Sequence, residues 1–336
     1  MSPRALVTGG GGFLGLALIR LLRQHGWQVR SLARGRYPAL TELAIEQIRA
    51  DLADQAAVTT ACADCDVVFH VAAKAGIWGQ PADFERANVL GTQHILRACR
   101  HQRVRRLVYT SSPSVVFSGR DLAGVNEFIP YPSHYEADYP RTKALAEQQV
   151  LAANDAHLAT VALRPHLIWG PGDNHLVPRI LARGRAGRLR RLGSGNPLVD
   201  SLYIDNAAEA HLLAAERLAI GSPIAGKAYF LSQGEPWPLW DLVDAILAAG
   251  ALPPVRRQLP VGLAYGAGYL LEQAYRLLHL PGEPVMTRFL ARELSTAHWF
   301  DIRAARRDLG YAPRISIREG LQRLTVALAE NPPADY

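Results

Sequence analysis

The chain has 336 residues, of which 49% are hydrophobic and 20% charged, a composition ordinary for a soluble globular protein of one large domain or two joined lobes. Its three cysteines, Cys62, Cys65 and Cys99, exclude a disulfide framework, and the close pair lacks further metal ligands, so we expect a reducing cytosol and no bound metal. The formal charge of +7 does not indicate a nucleic-acid partner, because the arginines are not interleaved with aromatic residues; a basic cofactor site and an anionic substrate explain it equally well.

Strand-like and helix-like segments alternate through the first half of the chain. Such alternation predicts an α/β fold, a doubly wound parallel sheet with helices on both faces, whose ligands bind at the carboxyl ends of the strands. The predicted strands are Arg4–Thr8, Gln28–Ala33, Glu46–Arg49, Val67–Val71, Arg106–Thr110 and Ala159–Leu163. The predicted helices between them are Leu14–Gln24, Gln55–Cys62, Ala82–Cys99 and Ala137–Asn154.

The pattern changes after Arg164-Pro165. Residues 171–204 are rich in Gly, Pro and Arg, and further elements follow. These are helices near 206–219, 238–249, 259–280 and 316–329 and a strand at Ala228–Leu231. We therefore predict a cofactor-binding domain built from 1–165 and about 205–231, and a smaller discontinuous substrate lobe built from about 166–204 and 232–336.

The segment Gly9-x-x-Gly12-x-x-Gly15 follows the first predicted strand and opens the first predicted helix. This context predicts a dinucleotide-binding loop. Gly9 would make the tight turn, Gly12 would let the main chain approach a pyrophosphate, and Gly15 would let the helix pack close to the sheet. The helix N-terminus would then offer free N–H groups to the phosphates.

The end of the second strand predicts the choice of cofactor. Enzymes that use NAD place a carboxylate there for the ribose 2′-hydroxyl, whereas this chain has Ala33 followed by Arg34 and Arg36. Guanidinium groups suit a 2′-phosphate, so NADP(H) is the predicted cofactor and NAD(H) the alternative. The other interpretation of either arginine is a solvated loop charge.

Tyr139 and Lys143 lie four residues apart in the predicted helix Ala137–Asn154 and so share one of its faces. A free tyrosine, with a pKa of about 10, is a poor acid–base group at neutral pH. A nearby ammonium is expected to lower that pKa. Glu147, one turn further on, is predicted to be an exposed carboxylate.

Together, the glycine loop and the segment Tyr139-Pro140-Arg141-Thr142-Lys143 resemble the cofactor loop and catalytic pair of the extended short-chain dehydrogenase/reductase superfamily. The resemblance implies a Rossmann-type NAD(P)-binding domain in which Tyr139 donates a proton and Lys143 tunes it. It implies that Ser112 holds the substrate oxygen, with Ser111 and Ser114 as alternatives. The cofactor contacts that it implies are Gly9, Gly12, Phe13, Leu14, Gly15, Arg34, Arg36, Asp51, Leu52, Ala72, Ala73, Lys74, Tyr139, Lys143, Pro165, Leu167 and Ile168.

Other segments resemble particular branches of the superfamily. Residues 163–173, 226–230 and 300–314 resemble the 3β-hydroxysteroid dehydrogenase branch, and loop 72–79 resembles bacterial 2-alkyl-3-oxoalkanoate reductases of long-chain olefin formation. That resemblance implies NADPH-dependent reduction of a hydrophobic β-keto acid to a β-hydroxy acid. A 3β-hydroxysteroid or sterol-type dehydrogenase and a sugar-nucleotide epimerase are the alternatives, although Val116-Phe117 departs from the epimerase pattern. Pro113-Ser114 stands where dehydratases have Asp-Glu.

Residues 259–280 carry more apolar surface than one amphipathic helix needs. They are expected to line a lipid pocket, to bind another enzyme or a membrane surface, or to pack within the core. The uncharged stretch there has 13 residues, short of the roughly 20 that a membrane span needs, so we expect a cytoplasmic protein with peripheral membrane contact at most.

Arginines at 179, 183, 185, 188, 190 and 191 would hold an anion or form a solvated basic face. Analogy with the superfamily predicts a homodimer.

Overall fold

A computed structural model describes residues 2–330 of the protein. Its strands are β1 (Arg4–Thr8), β2 (Gln28–Ala33), β3 (Glu46–Arg49), β4 (Val67–His70), β5 (Arg106–Thr110), β6 (Leu122–Val125), β7 (Ala159–Pro165), β8 (Ile168–Trp169), β9 (Arg191–Leu192), β10 (Leu198–Val199), β11 (Leu202–Tyr203), β12 (Lys227–Leu231), β13 (Trp237–Pro238), β14 (Gln258–Leu259) and β15 (His298–Phe300). Its α-helices are α1 (Phe13–Gln24), α2 (Pro38–Glu42), α3 (Gln55–Ala61), α4 (Pro81–Phe84), α5 (Gly91–His101), α6 (Asp138–Ala152), α7 (Leu176–Arg185), α8 (Ile204–Arg217), α9 (Leu239–Ala249), α10 (Val261–Leu277), α11 (Arg288–Glu293), α12 (Arg303–Leu309) and α13 (Ile317–Glu330).

Seven strands form one sheet in the order β12-β7-β5-β4-β1-β2-β3. Every neighbouring pair in it is parallel. The strand order reverses between β1 and β4, which opens a crevice at the carboxyl ends of these two strands. The predicted α/β fold, a Rossmann-type doubly wound parallel sheet, is therefore confirmed.

Helices cover both faces of this sheet, so its strands are apolar on both sides. Val7 belongs to the core layer that contains Leu18 of α1 and Ala207 of α8. Its neighbour Leu6 belongs to the opposite layer, with Val58 of α3. Helix α1 packs on α8, and α3 packs on α5. The sheet therefore holds the crevice on a rigid support between two cores.

The segment predicted as a single helix, Ala82–Cys99, consists of α4, a π-helical stretch at Glu85–Leu90, and α5. In the wider π turns, the side-chain amide of Asn88 is buried. Its oxygen accepts a hydrogen bond from the Lys74 main-chain N–H at 2.8 Å. The same amide donates to the Thr142 hydroxyl at 3.0 Å. The π stretch thus connects the loop after β4 to α6, the helix that carries Tyr139 and Lys143, and apolar periodicity does not reveal this role.

The second lobe contains a small sheet in the order β13-β10-β15-β6. Strand β6 lies within 1–165 but pairs with β15, so this part of the first segment joins the sheet of the second lobe. The domain limits otherwise stay a prediction. Among residues 2–330, no helix is long and apolar enough to cross a membrane. The same residues contain no group of three or more His, Cys, Asp or Glu side chains placed to hold a metal ion.

Candidate active site

The glycine loop is a tight turn between β1 and α1. Gly9 has a φ of +70° and donates to the Leu32 carbonyl at 2.8 Å. A Cβ at Gly15 would lie 2.2 Å from the Gly9 carbonyl oxygen, so only glycine permits this contact of helix and loop. At Gly12 the nearest atom to a Cβ is that same oxygen at 3.2 Å, and no side chain caps α1. An open cradle and uncapped N–H groups fit the pyrophosphate of a dinucleotide.

A cavity of about 970 Å³ opens at the carboxyl ends of the strands, near the upper end of the size range of small-molecule sites, about 300–1,000 Å³. The predicted cofactor residues in its lining are Gly9, Gly12, Phe13, Leu14, Gly15, Arg34, Asp51, Leu52, Ala72, Ala73, Lys74, Tyr139, Lys143, Pro165, Leu167 and Ile168. Arg36 is absent from this lining. The chain bends at Arg34 and Gly35 and turns into α2, which leaves Arg36 exposed outside the cavity.

Tyr37 is a cavity residue that the sequence analysis missed. A Cβ at Gly11 would lie 2.3 Å from the Tyr37 ring, so the ring lies directly on the glycine loop. Gln47 fixes the position of Tyr37 by accepting from its main-chain N–H at 2.9 Å. The sequence held one sign of this contact, the run of four glycines. The family spacing accounts for Gly9 and Gly12 but gives no reason for a glycine at position 11.

The carboxyl ends of β1 and β4 are joined by buried hydrogen bonds. His70 lies between the hydroxyls of Thr8 at 2.8 Å and Thr92 at 3.0 Å. The Thr8 hydroxyl also accepts from the Ala72 main-chain N–H at 3.1 Å. Burial, with a smaller contribution from the Lys143 charge, lowers the pKa of His70 to about 3, so this histidine is neutral. His70 therefore supports the loop at Ala72 and does not transfer protons.

Helix α6 places Tyr139 and Lys143 in the cavity wall. Lys143 is 2% exposed, and its Nζ donates to the Thr110 carbonyl at 2.6 Å. Burial lowers the pKa of Lys143 to about 7, against a smaller opposing effect of Glu147. Burial raises the pKa of Tyr139, and a nearby carboxylate, Glu293, raises it further. The pKa of Tyr139 is thus raised and not lowered as expected, because burial has the largest effect on it, and the Lys143 Nζ is bonded to the Thr110 carbonyl.

Three serines follow β5, and all of them line the cavity. Of the three serines, Ser112 alone shifts the pKa of Tyr139, which it lowers against the larger effect of burial. Its Oγ accepts from the Ser114 main-chain N–H at 3.2 Å and lies 2.9 Å from the Ser114 hydroxyl. The Ser111 hydroxyl is buried and has no partner within the described part of the chain. The effect on the Tyr139 pKa thus favours Ser112 over the two alternatives.

Glu147 is a buried residue and not the exposed carboxylate that its helix position predicted. It pairs with Arg164 of β7 at 2.6 Å, and the side chains are 0% and 3% exposed respectively. The Tyr131 hydroxyl also donates to it. The pair joins α6 to strand β7 of the sheet and so helps to fix the position of this helix.

The second lobe closes the substrate end of the cavity with aromatic and titratable side chains. These lining residues are Phe289, Glu293, His298 and Phe300, with His166 from the loop after β7. The arginine run lies elsewhere, since none of its members is in the lining. Arg179 pairs with Glu283 at 2.5 Å and Arg191 with Asp244 at 2.6 Å. The substrate end therefore lacks these guanidiniums and combines aromatic rings with a carboxyl group and imidazoles.

Comparisons with known proteins agree with this geometry. Residues 6–261 match the 3-beta hydroxysteroid dehydrogenase/isomerase family. A 2-alkyl-3-oxoalkanoate reductase of Stenotrophomonas maltophilia is 53% identical over 97% of this chain and 99% of that protein. One from Shewanella oneidensis is 48% identical over 96% of this chain and 86% of that protein. The solved structure of MoeE5 in complex with UDP-glucose and NAD has a TM-score of 0.76 at 25% identity and covers 98% of this chain and 100% of its own.

The family match spans most of the chain, and the two reductases align along nearly all of it. The chain is an oxidoreductase and belongs to the 3-beta hydroxysteroid dehydrogenase/isomerase family, within the extended short-chain dehydrogenases/reductases.

Proposed function

We propose that the protein reduces the ketone of a 2-alkyl-3-oxoalkanoate to the 2-alkyl-3-hydroxyalkanoate with NADPH. Two full-length relatives, 53% and 48% identical, carry the name of this activity. The observation that carries the proposal is the convergence of Tyr139, Lys143 and Ser112 in one cavity with the glycine loop. A nicotinamide cofactor is supported by the cradle at Gly12 and by the NAD in the complex of MoeE5.

The residues of the chain divide the reaction between them. The glycine loop and the N-terminus of α1 would hold the pyrophosphate of a nicotinamide dinucleotide, which would supply the hydride for the ketone carbon. Tyr139 donates its phenolic proton to the ketone oxygen. Burial keeps the pKa of Tyr139 high, so the phenol is protonated at neutral pH, as reduction requires. Ser112 hydrogen-bonds the same oxygen and then stabilises the phenolate left on Tyr139.

The preference for NADPH is the finer part of the proposal. Arg34 is exposed in the wall of the cavity, directly after β2, where its guanidinium can pair with a 2′-phosphate. Ala33 stands where an NAD enzyme carries its carboxylate. Arg49, which lies outside the cavity lining, donates to the Arg34 carbonyl at 3.1 Å and so fixes the main chain at Arg34.

The lining of the substrate end favours a hydrophobic substrate over a nucleotide sugar. Phe117, Phe289 and Phe300 lie there, and the arginine run that would have bound a diphosphate lies outside the lining. A 3β-hydroxysteroid or sterol-type substrate fits the same apolar wall and remains the second candidate. A sugar-nucleotide epimerase is the third, supported only by the common fold.

The test is NADPH consumption with a racemic 2-alkyl-3-oxo acid beside a 3-ketosteroid, each repeated with NADH. Rapid NADPH-dependent loss of the oxo acid alone supports the proposal. Turnover of the steroid alone would replace it with the second candidate. If neither compound is consumed, the proposal fails and UDP-sugars are assayed for epimerisation.

We further propose that α10 attaches the protein to an anionic lipid surface. Leu263, Leu270 and Leu277 are 64%, 68% and 77% exposed, and their spacing of seven residues places them on one side of the helix. The exposed Arg276 lies beside them and adds positive charge. Sedimentation with phosphatidylglycerol vesicles, but not with phosphatidylcholine vesicles, is the expected result. Leu270→Ser should weaken it, and equal recovery of this variant would contradict the proposal.

A further inference from the structure

The buried amino group of Lys143 requires more than one partner to remain charged. Lys143 is 2% exposed, and within residues 2–330 its Nζ makes one hydrogen bond, to the Thr110 carbonyl at 2.6 Å. An ammonium has three N–H donors, so this bond leaves two of them for other partners. Burial lowers the pKa of Lys143 to about 7, so its charged and neutral forms have similar free energies at neutral pH. A modest additional interaction therefore decides which form is present.

The ring of Tyr109 supplies such an interaction. Lys143 Nζ lies over this ring, 4.2 Å from its centroid, within the roughly 6 Å over which a cation is attracted to an aromatic face. Tyr109 precedes Thr110 on β5 and is 1% exposed, so water does not screen the contact. Tyr109 lies outside the cavity lining, whereas Lys143 is part of it. The ring thus supports the ammonium from behind the cavity wall.

The face of the ring, and not the hydroxyl, makes this contact. The Tyr109 hydroxyl is buried and has no hydrogen-bond partner in the part of the chain that the structure describes. Burial also raises the pKa of Tyr109 well above its usual value, so the phenol is neutral and forms no ion pair. The attraction between Lys143 and Tyr109 therefore comes from the negative face of the aromatic ring.

The titratable groups beside Lys143 on β4 and α6 are neutral. Burial lowers the pKa of His70 on β4 to about 3, and its imidazole lies against the Tyr109 ring with centroids 5.6 Å apart. Burial raises the pKa of Tyr139 on α6, so this group is a protonated phenol. Neither group therefore attracts the ammonium as an ion would.

The carboxylates near this part of α6 are paired with arginines. Glu147 raises the pKa of Lys143, but its own charge is paired with Arg164 of β7 at 2.6 Å. Glu85 of the π stretch pairs with Arg141 at 2.9 Å, and both side chains are partly exposed. Two adjacent residues of β5 therefore supply the direct contacts of the ammonium, one through its carbonyl and the other through its ring.

We propose that Tyr109 is a positioning residue whose ring keeps the Lys143 side chain in its charged form in the wall of the active-site cavity. The role expected for Lys143, tuning the Tyr139 phenol, requires the ammonium, because a neutral amine does not stabilise a phenolate. The effect of this charge on the reduction rests on the proposed function, whereas the charge itself does not depend on the substrate.

The experiment measures the pKa of Lys143 directly in the cofactor-free protein. The chain has only three lysines, which are Lys74, Lys143 and Lys227. Lysine labelled with ¹³C at Cε therefore gives three NMR signals, which Lys74→Arg and Lys227→Arg assign. Tyr109→Phe keeps the ring and should keep the wild-type pKa of Lys143. Tyr109→Leu should lower this pKa by about one pH unit or more, because loss of a buried cation–π contact disfavours the charged form.

A fluorinated ring separates the electrostatic effect from packing. Replacing Tyr109 with 3,4,5-trifluorophenylalanine keeps the shape of the ring but weakens its negative face, so the pKa of Lys143 should fall below its value in Tyr109→Phe. Phe69→Leu is the matched control, since Phe69 is a buried ring on the neighbouring strand β4 that belongs to the opposite core layer. It should leave the pKa of Lys143 unchanged.

The kinetic readout is the pH profile of kcat for a 2-alkyl-3-oxo acid. The fall of kcat at high pH should move to lower pH in Tyr109→Leu, by as much as the pKa of Lys143 does, and should not move in Tyr109→Phe. Equal pKa values of Lys143 with the phenylalanine and the trifluorinated ring overturn the role of Tyr109. So does a lowering in Phe69→Leu as large as that in Tyr109→Leu.

The two readouts separate this inference from the proposed function. A pH profile that stays in place while the pKa of Lys143 falls overturns the part of the inference that concerns the reduction. Failure of the wild type to reduce the oxo acid overturns the proposed function, and the NMR titrations still decide whether the ring of Tyr109 holds the charge on Lys143.

Discussion

Lys143 donates from its Nζ to the main-chain carbonyl oxygen of Thr110 at 2.6 Å. This bond ties the catalytic helix α6 to the carboxyl end of β5. The Thr110 hydroxyl lies 2.8 Å from His211 Nε2, which ties the same strand end to α8. Ser112 follows Thr110 by two residues, and Tyr139 precedes Lys143 by four. Ser112 and Tyr139, the two groups proposed to bind the substrate oxygen, are therefore held in register by one buried contact.

Tyr139→Phe should lower kcat by about 10²- to 10⁴-fold, because it removes the proton donor and leaves the ring in place. NADPH binding, followed by nucleotide fluorescence, should be nearly unchanged. Tyr135→Phe is the matched control, since the Tyr135 hydroxyl donates to the Val115 carbonyl and Tyr135 lies outside the cavity lining. Residual turnover above one tenth of the wild-type value in Tyr139→Phe would disprove the assignment.

Two alanine substitutions in the glycine loop should affect different properties. Gly15→Ala should mainly lower stability, and Gly12→Ala should mainly weaken NADPH binding. Gly15→Ala places a Cβ 2.2 Å from the Gly9 carbonyl and should lower the free energy of unfolding by about 1–3 kcal/mol. Gly12→Ala brings its Cβ 3.2 Å from the same oxygen, a milder contact, so it should lower that free energy less than Gly15→Ala does, but weaken NADPH binding at least about tenfold by filling the cradle. Urea unfolding and NADPH titration of both variants test the pair. Equal effects on stability would contradict the geometry.

Arg34→Ala should raise the KM for NADPH by about ten- to a hundredfold and leave the KM for NADH nearly unchanged, because a charged hydrogen bond to the 2′-phosphate is worth about 1.5–3 kcal/mol. Arg36→Ala is the comparison, since Arg36 is also exposed but lies outside the cavity lining. Its kinetic constants should match those of the wild type. A larger effect at Arg36 than at Arg34 would mean that the loop rearranges around the cofactor.

His211 should make stability depend on pH. Burial lowers its pKa to about 4 in the folded protein, and its Nδ1 donates to the Ala207 carbonyl at 2.7 Å. In the unfolded chain, His211 takes up a proton below about pH 6.5. Its contribution to the free energy of unfolding is therefore complete above that pH and is lost as the pH falls toward 4.

Replacing His211 measures how much this residue makes stability depend on pH. His211→Gln should be less stable than the wild type at pH 7, and the difference should shrink by up to about 1.4 kcal/mol per pH unit below pH 6.5. The other buried titratable groups are common to both proteins and cancel. Urea unfolding at pH 7, 6 and 5 gives the comparison, and a constant difference would show that His211 does not titrate on unfolding.

Local patterns in the sequence predicted the parallel sheet and the residues presented at its edge. The bounds of β1, β2 and β5 agree with the predicted strands, because strands inside a parallel sheet are short, mainly apolar runs between turn residues. The bounds of the edge strand β3 also agree, although its residues are polar and partly exposed. The four-residue spacing of Tyr139 and Lys143 was enough to predict that they share one face of α6. Such features depend on neighbours in sequence and are visible without tertiary structure.

The parts that were missed depend on contacts between distant segments. Glu293 and His298 reach the cavity only because the second lobe folds over the edge of the sheet, and no spacing relates them to Tyr139. Glu147 is buried because Arg164 of β7 lies opposite it. The π stretch at Glu85–Leu90 depends on the contacts of Asn88 with Lys74 and Thr142. The secondary-structure propensity of a single segment predicts none of these contacts.

The placement of α8 on the same face of the sheet as α1 has a consequence for synthesis of the chain. Six of the seven strands of the large sheet precede residue 166, so a nascent chain can pair them and form the glycine loop early. The apolar face beside α1 stays uncovered until α8, ending at Arg217, has left the ribosome. Exposed apolar faces of partly made domains bind chaperones or aggregate. Fragments that end before α8 should therefore accumulate as insoluble material, although they contain the whole of the glycine loop and the catalytic pair.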